Sequence, residues 1–409
     1  MGIKCRVCQT SELKEFLTLG EMPPVNAFLD YKELYKEKKY PLTLAYCPAC
    51  FLVQLINIVP SSELFSNYLH LSSASASNIN HLREVANIIK ERFNITNSTR
   101  ILEIGSNDGT LLAFLKEYSP YVLGVDPAEN LLLFSKEKGV ETIPAFFNKV
   151  TAMEILNTTG KYDIVVAINI VPHTPDVVSL LEGVEMILND NGIFIMEGVY
   201  ALETILRGEF DTIYHEHVYT FSLHSLIATF KQANLIVVDV EKIPQQGGSL
   251  RVYAKRREDA KSSSIAVNSL LKEEKELGLA TPKLYSTLVS KVEQFKKQLK
   301  DVVEHEKNLS GKLIGIGAPA RGVVILNYCG INQNDIEYIV DDTPLKQGKI
   351  TPGVHIPVKS WDVLKPEKKQ IFLLLSWNYR DHLLARLKPQ FCSSKVIIPF
   401  PQLEVTYLG

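Results

Sequence analysis

The chain has 409 residues, of which 46% are hydrophobic and 22% charged, and its formal net charge is −2. This length predicts two or three domains, and the near-neutral charge gives no electrostatic basis for binding nucleic acid or an anionic membrane. The first twenty residues lack the apolar core of a signal peptide, and no apolar run approaches the ~20 residues that span a bilayer. We therefore expect a cytoplasmic protein without nucleic-acid or membrane partners.

The N-terminal region carries two Cys-x-x-Cys pairs, Cys5 with Cys8 and Cys47 with Cys50. In a reducing cytosol this spacing favours a metal over disulfides. Four thiolates complete a tetrahedral Zn²⁺ site that has no open position, so a structural role is expected. A redox pair or a chance pairing is the alternative. We predict a zinc-binding domain over residues 1–75, which ends at the small polar segment Ser72–Ser77.

Residues 76–244 alternate between helical and strand patterns. Buried strands are expected at residues 101–104, 122–125, 162–168 and 193–197, with helical spacing between them. Such alternation predicts an α/β domain, in which helices cover both faces of a parallel sheet.

A glycine turn follows the first of these strands, at Gly105 and Gly109. Glycines there let backbone amides approach a ligand, and Asp126, at the end of the next strand, is placed to bind ribose hydroxyls. The turn lacks the close-approach glycine of a pyrophosphate loop. The acidic Glu103 before it suits the positive charge of S-adenosylmethionine (SAM) better than a diphosphate. A packing turn in some other α/β domain is the alternative.

Residues 245–409 contain a second strand–glycine–helix turn, Gly315–Gly322, after a long predicted helix with apolar residues at helical spacing from Leu284 to Val302. Further parallel strands are expected at 336–342 and 370–376, which makes this a second Rossmann-like domain. Helix N-terminal amides and Arg321 could hold a diphosphate at this turn. NAD therefore stays open as a rival cofactor.

Four functional side chains stand together at Tyr214, His215, Glu216 and His217. In an extended segment the two histidines would share one face. A metal pair, packed histidines and a general base are the three interpretations; we favour the base, because imidazole has an unperturbed pKa of ~6.5. His173 follows another strand at the carboxyl edge, where ligands bind in open α/β sheets.

In this order the motifs resemble those of the deoxysugar C-3 methyltransferases, and the resemblance covers essentially the whole chain. It rests on the cysteine pairs and on Glu103–Gly109, Asn169–His173, Asp211–His217, Gly247–Arg251, Gly317–Gly322 and Asp341–Gly348. Two positions depart from the family pattern: Gln246 stands where histidine is expected, and Arg321 where lysine is usual.

The resemblance implies a class I methyltransferase fold for the central domain and a nucleotide-sugar-binding role for the third. The implied acceptor is a dTDP-linked 4-keto-6-deoxy sugar: its ketone acidifies the C3 hydrogen, a base removes it, and the enolate takes the methyl group of SAM. Two alternatives are an NAD-dependent nucleotide-sugar oxidoreductase or epimerase that uses Gly315–Gly322, and a non-catalytic sugar-nucleotide binding protein.

The resemblance also assigns residues. His217 is the expected base, supported by Tyr214, Glu216, His173 and Tyr68. Contacts to SAM are expected from Glu103, Gly105, Asn107, Asp108, Asp126, Pro127 and Asn169. Contacts to the acceptor are expected from Asn26, Gly317, Arg321, Asn378 and Arg380.

Overall fold

Three β-sheets organise the residues that the computed structural model describes, which are 3–9, 12–65, 68, 71–366 and 369–408. The strands are β1 Lys14–Met22, β2 Tyr40–Tyr46, β3 Val53–Leu55, β4 Ile101–Ile104, β5 Val122–Val125, β6 Thr142–Ile143, β7 Tyr162–Ile168, β8 Leu188–Val199, β9 Tyr219–Thr220, β10 Leu235–Ile243, β11 Ser249–Arg256, β12 Leu313–Ile316, β13 Ile336–Val340, β14 Val358–Lys359, β15 Ile371–Leu374, β16 Lys395–Ile398 and β17 Glu404–Tyr407. The helices are α1 Ser61–Phe65, α2 Ala76–Phe93, α3 Thr110–Leu115, α4 Leu132–Glu137, α5 Lys149–Thr159, α6 Val177–Ile187, α7 Ala201–Arg207, α8 Leu223–Gln232, α9 Ile265–Glu276, α10 Pro282–Ser310, α11 Ala320–Cys329 and α12 Arg380–Leu387.

The N-terminal sheet is antiparallel and has the order β1-β2-β3-β9. Its last strand comes from the central part of the chain: Tyr219 pairs with Gln54, and the Leu55 amide donates to the Val218 carbonyl at 2.9 Å. The segment that carries His217 is therefore attached to the N-terminal sheet.

The central sheet has the order β10-β11-β8-β7-β4-β5-β6, in which β8, β7, β4, β5 and β6 are parallel. Helices α2 and α3 cover one face, where Val85 and Leu111 are buried, and α5 and α6 cover the other, where Ile155 and Leu180 are buried. Because both faces are covered, the central strands are nearly continuous apolar runs. The predicted Rossmann-like arrangement is confirmed.

The predicted boundary at residues 244 and 245 falls between β10 and β11, which are adjacent antiparallel strands of one sheet. Strand β11 also pairs with β8, for example Leu250 with Gly198. By sheet membership, we propose that the central unit continues through Arg256.

The third sheet, β14-β13-β12-β15-β16-β17, is parallel except for β17. It confirms the second Rossmann-like unit. The long helix α10 precedes it and buries Leu288, Val292 and Leu299 at helical spacing. Ring contacts of Phe210 with Phe295 and Phe400 join the central unit to this one. Among the described residues, no helix has the length and apolar character needed to cross a membrane.

Candidate active site

The four N-terminal cysteines converge on one point. Their sulfur atoms all lie within 4.8 Å of one another, with Cys8 Sγ 3.5 Å from Cys47 Sγ and Cys5 Sγ 3.7 Å from Cys50 Sγ. Zinc–sulfur bonds of about 2.3 Å place tetrahedral ligands roughly 3.8 Å apart, so this quartet fits Zn²⁺. Gln54 Nε2 donates to Cys5 Sγ at 3.3 Å and orients it. In the described ranges this quartet is the group of three or more potential ligands that is suited to a metal.

The first glycine turn passes close to the strand end beside it. Gly105 has a φ of +70°, and a Cβ atom there would lie 2.2 Å from the Ile170 side chain. Glycine is therefore required by both conformation and space. Asn107 also adopts a positive φ, 49°, so the turn is bent tightly around the end of β4.

Asp126 stabilises this turn from the end of β5. Its carboxylate accepts the Asn107 amide at 2.8 Å and the Ala128 amide at 2.9 Å. Each carboxylate oxygen has a further lone pair, and Asp126 also lies on the wall of the adjoining cavity. Asp126 can thus stabilise the turn and bind a ligand hydroxyl at the same time.

Asp108, which the resemblance assigns to SAM, does not lie on this wall. Its fully buried carboxylate accepts the Thr110 hydroxyl at 2.6 Å and the Ser73 amide at 3.0 Å. Lys138 Nζ lies 3.3 Å from it. These contacts turn Asp108 inward, so its carboxylate fastens the Ser72–Ser73 segment to the turn.

Glu103 is a buried acid on the cavity wall, 4% exposed. Its Oε2 atom is buried without a hydrogen-bond partner among the described residues. Burial, reinforced by Asp108 and Asp126, raises the pKa of Glu103 well above its usual value. A cationic ligand at this position would satisfy the oxygen and favour the ionised carboxylate.

One large cavity, about 1400 Å³, joins the three units. Its wall includes Asn26 and Tyr68 from the first unit, Pro127 and Asn169 from the central unit, and Gly317 from the third. Typical sites for one small ligand measure about 300–1,000 Å³. The cavity can therefore hold a cofactor and an acceptor together.

The histidine cluster stands on this wall, but not as the extended segment that was expected. The His217 amide donates to the Tyr214 carbonyl at 2.9 Å, which closes a turn. The Tyr214 and His217 rings are consequently in contact, with centroids 3.9 Å apart and planes tilted by 33°, and the His173 ring centroid lies 4.8 Å from that of His217. His215 points elsewhere, with Nε2 3.2 Å from the Tyr40 carbonyl.

His217 has a defined tautomer. Its Nδ1 lies 2.6 Å from the Thr212 carbonyl, and since a carbonyl only accepts, Nδ1 carries the proton and Nε2 of the neutral ring is left as a proton acceptor. Burial, aided by Arg321, lowers the pKa of His217 to about 4. The ring is therefore neutral near pH 7, as a general base requires.

Glu216 lies behind the wall and orders two residues that are part of it. Asn26 Nδ2 donates to its Oε1 at 2.6 Å, and the Tyr68 hydroxyl donates to its Oε2 at 3.1 Å. Burial raises the pKa of Glu216 to about 7, against the opposing effect of these two hydrogen bonds. Glu216 thus supports the site from outside the cavity.

Arg321, which was expected to hold a diphosphate, forms ion pairs with carboxylates of the central unit. Its guanidinium donates to both oxygens of Asp211, at 3.0 and 2.7 Å, and to Glu209 Oε2 at 2.8 Å. It also donates to the Gln246 carbonyl at 2.9 Å and lies over the Trp377 ring. The residue is on the wall, but its charge is already neutralised by these carboxylates, so the expected phosphate contact gains no support from its present hydrogen bonds.

The second glycine turn is explained by packing. A Cβ atom on Gly317 would lie 2.0 Å from Ser376 Oγ, so the glycine lets the loops after β12 and β15 meet. Asn378 and Arg380 follow β15 at the cavity wall, with Asn378 exposed and Arg380 Nη2 2.6 Å from Glu404 Oε1.

Lys346 is a wall residue that the sequence interpretation missed, although it lies inside the Asp341–Gly348 motif. It is only 4% exposed, and its Nζ donates to the Ala318 carbonyl at 2.9 Å. A lysine in a turn six residues beyond the end of β13 is ordinarily expected at the surface, so the available signal was its membership of the motif.

Family models match the chain in three consecutive parts. They describe a zinc binding domain at residues 5–65, a methyltransferase domain at 76–240 and a C-methyltransferase C-terminal domain at 244–401. These parts contain the cysteine quartet, the glycine turn of the cofactor site and the second Rossmann-like unit.

A full-length relative is the C-methyltransferase NovU of Streptomyces niveus, which is 33% identical over 405 residues, or 98% of this chain and 96% of that protein. A ubiquinone biosynthesis O-methyltransferase of Bradyrhizobium diazoefficiens is 28% identical over 25% of this chain and 41% of its own length. Among solved structures, magnesium protoporphyrin IX methyltransferase of Synechocystis with bound SAM covers 44% of this chain and 79% of its own, at 12% identity and a TM-score of 0.34.

Proposed function

This chain belongs to the C-methyltransferase family that includes NovU, and on that premise we propose that it methylates C3 of a dTDP-linked 4-keto-6-deoxy sugar in cytoplasmic branched-deoxysugar biosynthesis. It is a SAM-dependent methyltransferase with a zinc-binding domain. The methyltransferase activity replaces the two alternatives, an NAD-dependent oxidoreductase or epimerase and a non-catalytic binding protein.

The turn after β4 is the proposed SAM site. The residues we assign to it share the cavity wall around that strand end: Glu103, Gly105, Asn107, Asp126, Pro127 and Asn169. Glu103 supports this assignment most directly, because its buried oxygen without a partner suits a positively charged ligand. When bound, SAM supplies an electrophilic methyl group on its sulfonium and leaves as S-adenosylhomocysteine.

The observation that carries the proposal is the state of His217. Its Nδ1 is tied to the Thr212 carbonyl, so the free Nε2 lone pair belongs to a residue on the wall of the same cavity as the SAM turn. We assign Nε2 to remove the C3 proton of the acceptor. The C3–H electron pair passes into an enolate on the C4 oxygen and is then available to form the new carbon–carbon bond.

The surrounding residues position the acceptor and the base. Tyr214 packs against the His217 ring and restricts its orientation. His173 lines the same cavity and is half-buried, and burial together with His217 lowers its pKa well below the usual value, so it adds no charge beside the base. Glu216 orients Asn26 and Tyr68, which place polar groups on the wall where sugar hydroxyls would bind.

The test is incubation with SAM and a panel of 4-keto-6-deoxy nucleotide sugars, followed by mass spectrometry. We expect a gain of one CH₂ unit in a 4-keto substrate and none in its 4-hydroxy counterpart. In D₂O without SAM, the C3 hydrogen of the substrate should exchange for deuterium. Methyl transfer to a hydroxyl oxygen, or equal transfer to the 4-hydroxy sugar, would contradict an enolate mechanism.

A further inference from the structure

Lys346 is a buried cation on the cavity wall, and it lacks a carboxylate partner. Its ammonium reaches the Ala318 carbonyl at 2.9 Å and lies 5.1 Å from the centroid of the Phe28 ring. Among the described residues it makes no salt bridge, although the side chain is only 4% exposed. The charge is therefore enclosed by the protein and not neutralised by a neighbouring acid.

An ammonium has three N–H donors, and one of them is used by Ala318. A buried charge is costly unless it is paired and hydrogen-bonded. In line with this cost, burial lowers the pKa of Lys346, opposed in part by the more distant Asp341 and Glu216. Two donors on the wall of a ligand cavity thus remain for an anion that the bare protein does not provide.

The other strongly basic residues of the described wall are already neutralised. Arg321 is bonded to Asp211 and Glu209, and Arg380 is paired with Glu404. Among the strongly basic residues of the described wall, Lys346 is consequently the one whose charge has no carboxylate partner and whose N–H donors are not all used.

We propose that Lys346 binds the diphosphate of the nucleotide-sugar acceptor, an inference that rests on the proposed function. A diphosphate is anionic before, during and after the reaction, so it compensates the buried charge in the resting complex. An enolate oxygen exists only during turnover and could not do so. Lys346 and Ala318 belong to the third unit, next to the start of α11, and the family resemblance assigns the nucleotide part of the acceptor to this unit.

The test compares wild type with K346M, which keeps the side-chain length and its packing against Phe28. K349M is the matched control: Lys349 is three residues away, pairs weakly with Asp30 at 3.4 Å and is absent from the cavity wall. Each zinc-loaded protein is titrated with dTDP in the presence of S-adenosylhomocysteine, and turnover is measured with the accepted sugar. K346Q is a second variant in case K346M purifies poorly.

We expect K346M to weaken dTDP binding by about tenfold to a hundredfold, the value of one charge-assisted hydrogen bond or two. KM should rise in parallel while kcat stays within about threefold. S-adenosylhomocysteine affinity and K349M should match wild type.

Unchanged dTDP affinity in a K346M protein that still binds S-adenosylhomocysteine would overturn the assignment. So would a collapse of kcat with dTDP binding intact, since that pattern places Lys346 at the enolate. If wild type itself binds no nucleoside diphosphate, the proposed acceptor class fails and the Lys346 assignment fails with it.

Discussion

Replacing Arg321 by alanine should destabilise the protein strongly, because this guanidinium is the counter-ion of two enclosed carboxylates. Asp211 is fully buried and Glu209 is 2% exposed. Without Arg321, Asp211 keeps the Trp377 indole N–H at 2.8 Å but loses both guanidinium bonds. Breaking a buried ion pair by removing one partner costs about 3–5 kcal/mol, which is the expected loss in the free energy of unfolding for R321A.

Urea denaturation followed by fluorescence measures this loss, with R83A as the control. The Arg83–Glu117 pair is as short, 2.6 Å, but its side chains are 43% and 49% exposed, so its removal should cost about 1 kcal/mol or less. R321K should fall between wild type and R321A, since an ammonium keeps the charge but lacks the fork that reaches Asp211, Glu209 and the Gln246 carbonyl together.

Turnover should fall as well, because Asp211 precedes Thr212, whose carbonyl holds Nδ1 of His217. Binding of S-adenosylhomocysteine should survive in whatever fraction stays folded, since the SAM turn lies on another strand end. An R321A protein that unfolds at the same urea concentration as R83A would refute the reasoning: the cluster would then contribute no more than a surface pair.

Three further outcomes are expected. H217N should lose about 10²–10⁴-fold in turnover and the deuterium exchange at C3, yet bind S-adenosylhomocysteine like wild type; retained exchange would remove His217 as the base. The pKa of Glu103 is raised in the free protein, and a bound cation favours its ionised form. SAM affinity measured by calorimetry should therefore increase as pH rises toward that pKa, and E103Q should weaken this pH dependence. A plot of SAM affinity against pH with the same slope in E103Q as in wild type would contradict this. C8S should reduce bound zinc, measured by elemental analysis, and lower the melting temperature, whereas C392S, at an exposed cysteine, should do neither; full zinc content in C8S would contradict the four-cysteine site.

The parallel strands were predictable because burial on both faces leaves continuous apolar runs. Strands β4, β5 and β7 have the predicted bounds. The predicted domain boundary at residues 244 and 245, in contrast, divides the hairpin of β10 and β11, since the Gly247–Gly248 turn between these strands looks like a domain boundary in the sequence. Glycine marks a turn in either case, and only the pairing of β11 with β8 shows that the sheet continues.

The wall residues near strand ends were also predictable, because the carboxyl ends of parallel strands share one edge of the sheet. Glu103, Asp126 and Asn169 lie there. His215 was grouped with His217 by assuming the two-residue period of a strand, and the turn from Tyr214 to His217 invalidates that period.

Arg321 and Lys346 show why the availability of a positive charge is hard to predict from the sequence. A basic residue after a glycine turn suggests a phosphate ligand, but whether its charge is available depends on what the fold packs against it. Asp211 lies 110 residues upstream of Arg321, so no local pattern could reveal that this cation is neutralised. Lys346 is the opposite case: nothing in the adjacent sequence predicts that it is buried, yet the fold encloses it without a carboxylate partner. The Lys346 proposal therefore implies that, in a cleft built from several units, an anion-binding residue is better sought among buried cations that lack a carboxylate than among basic residues next to glycine turns.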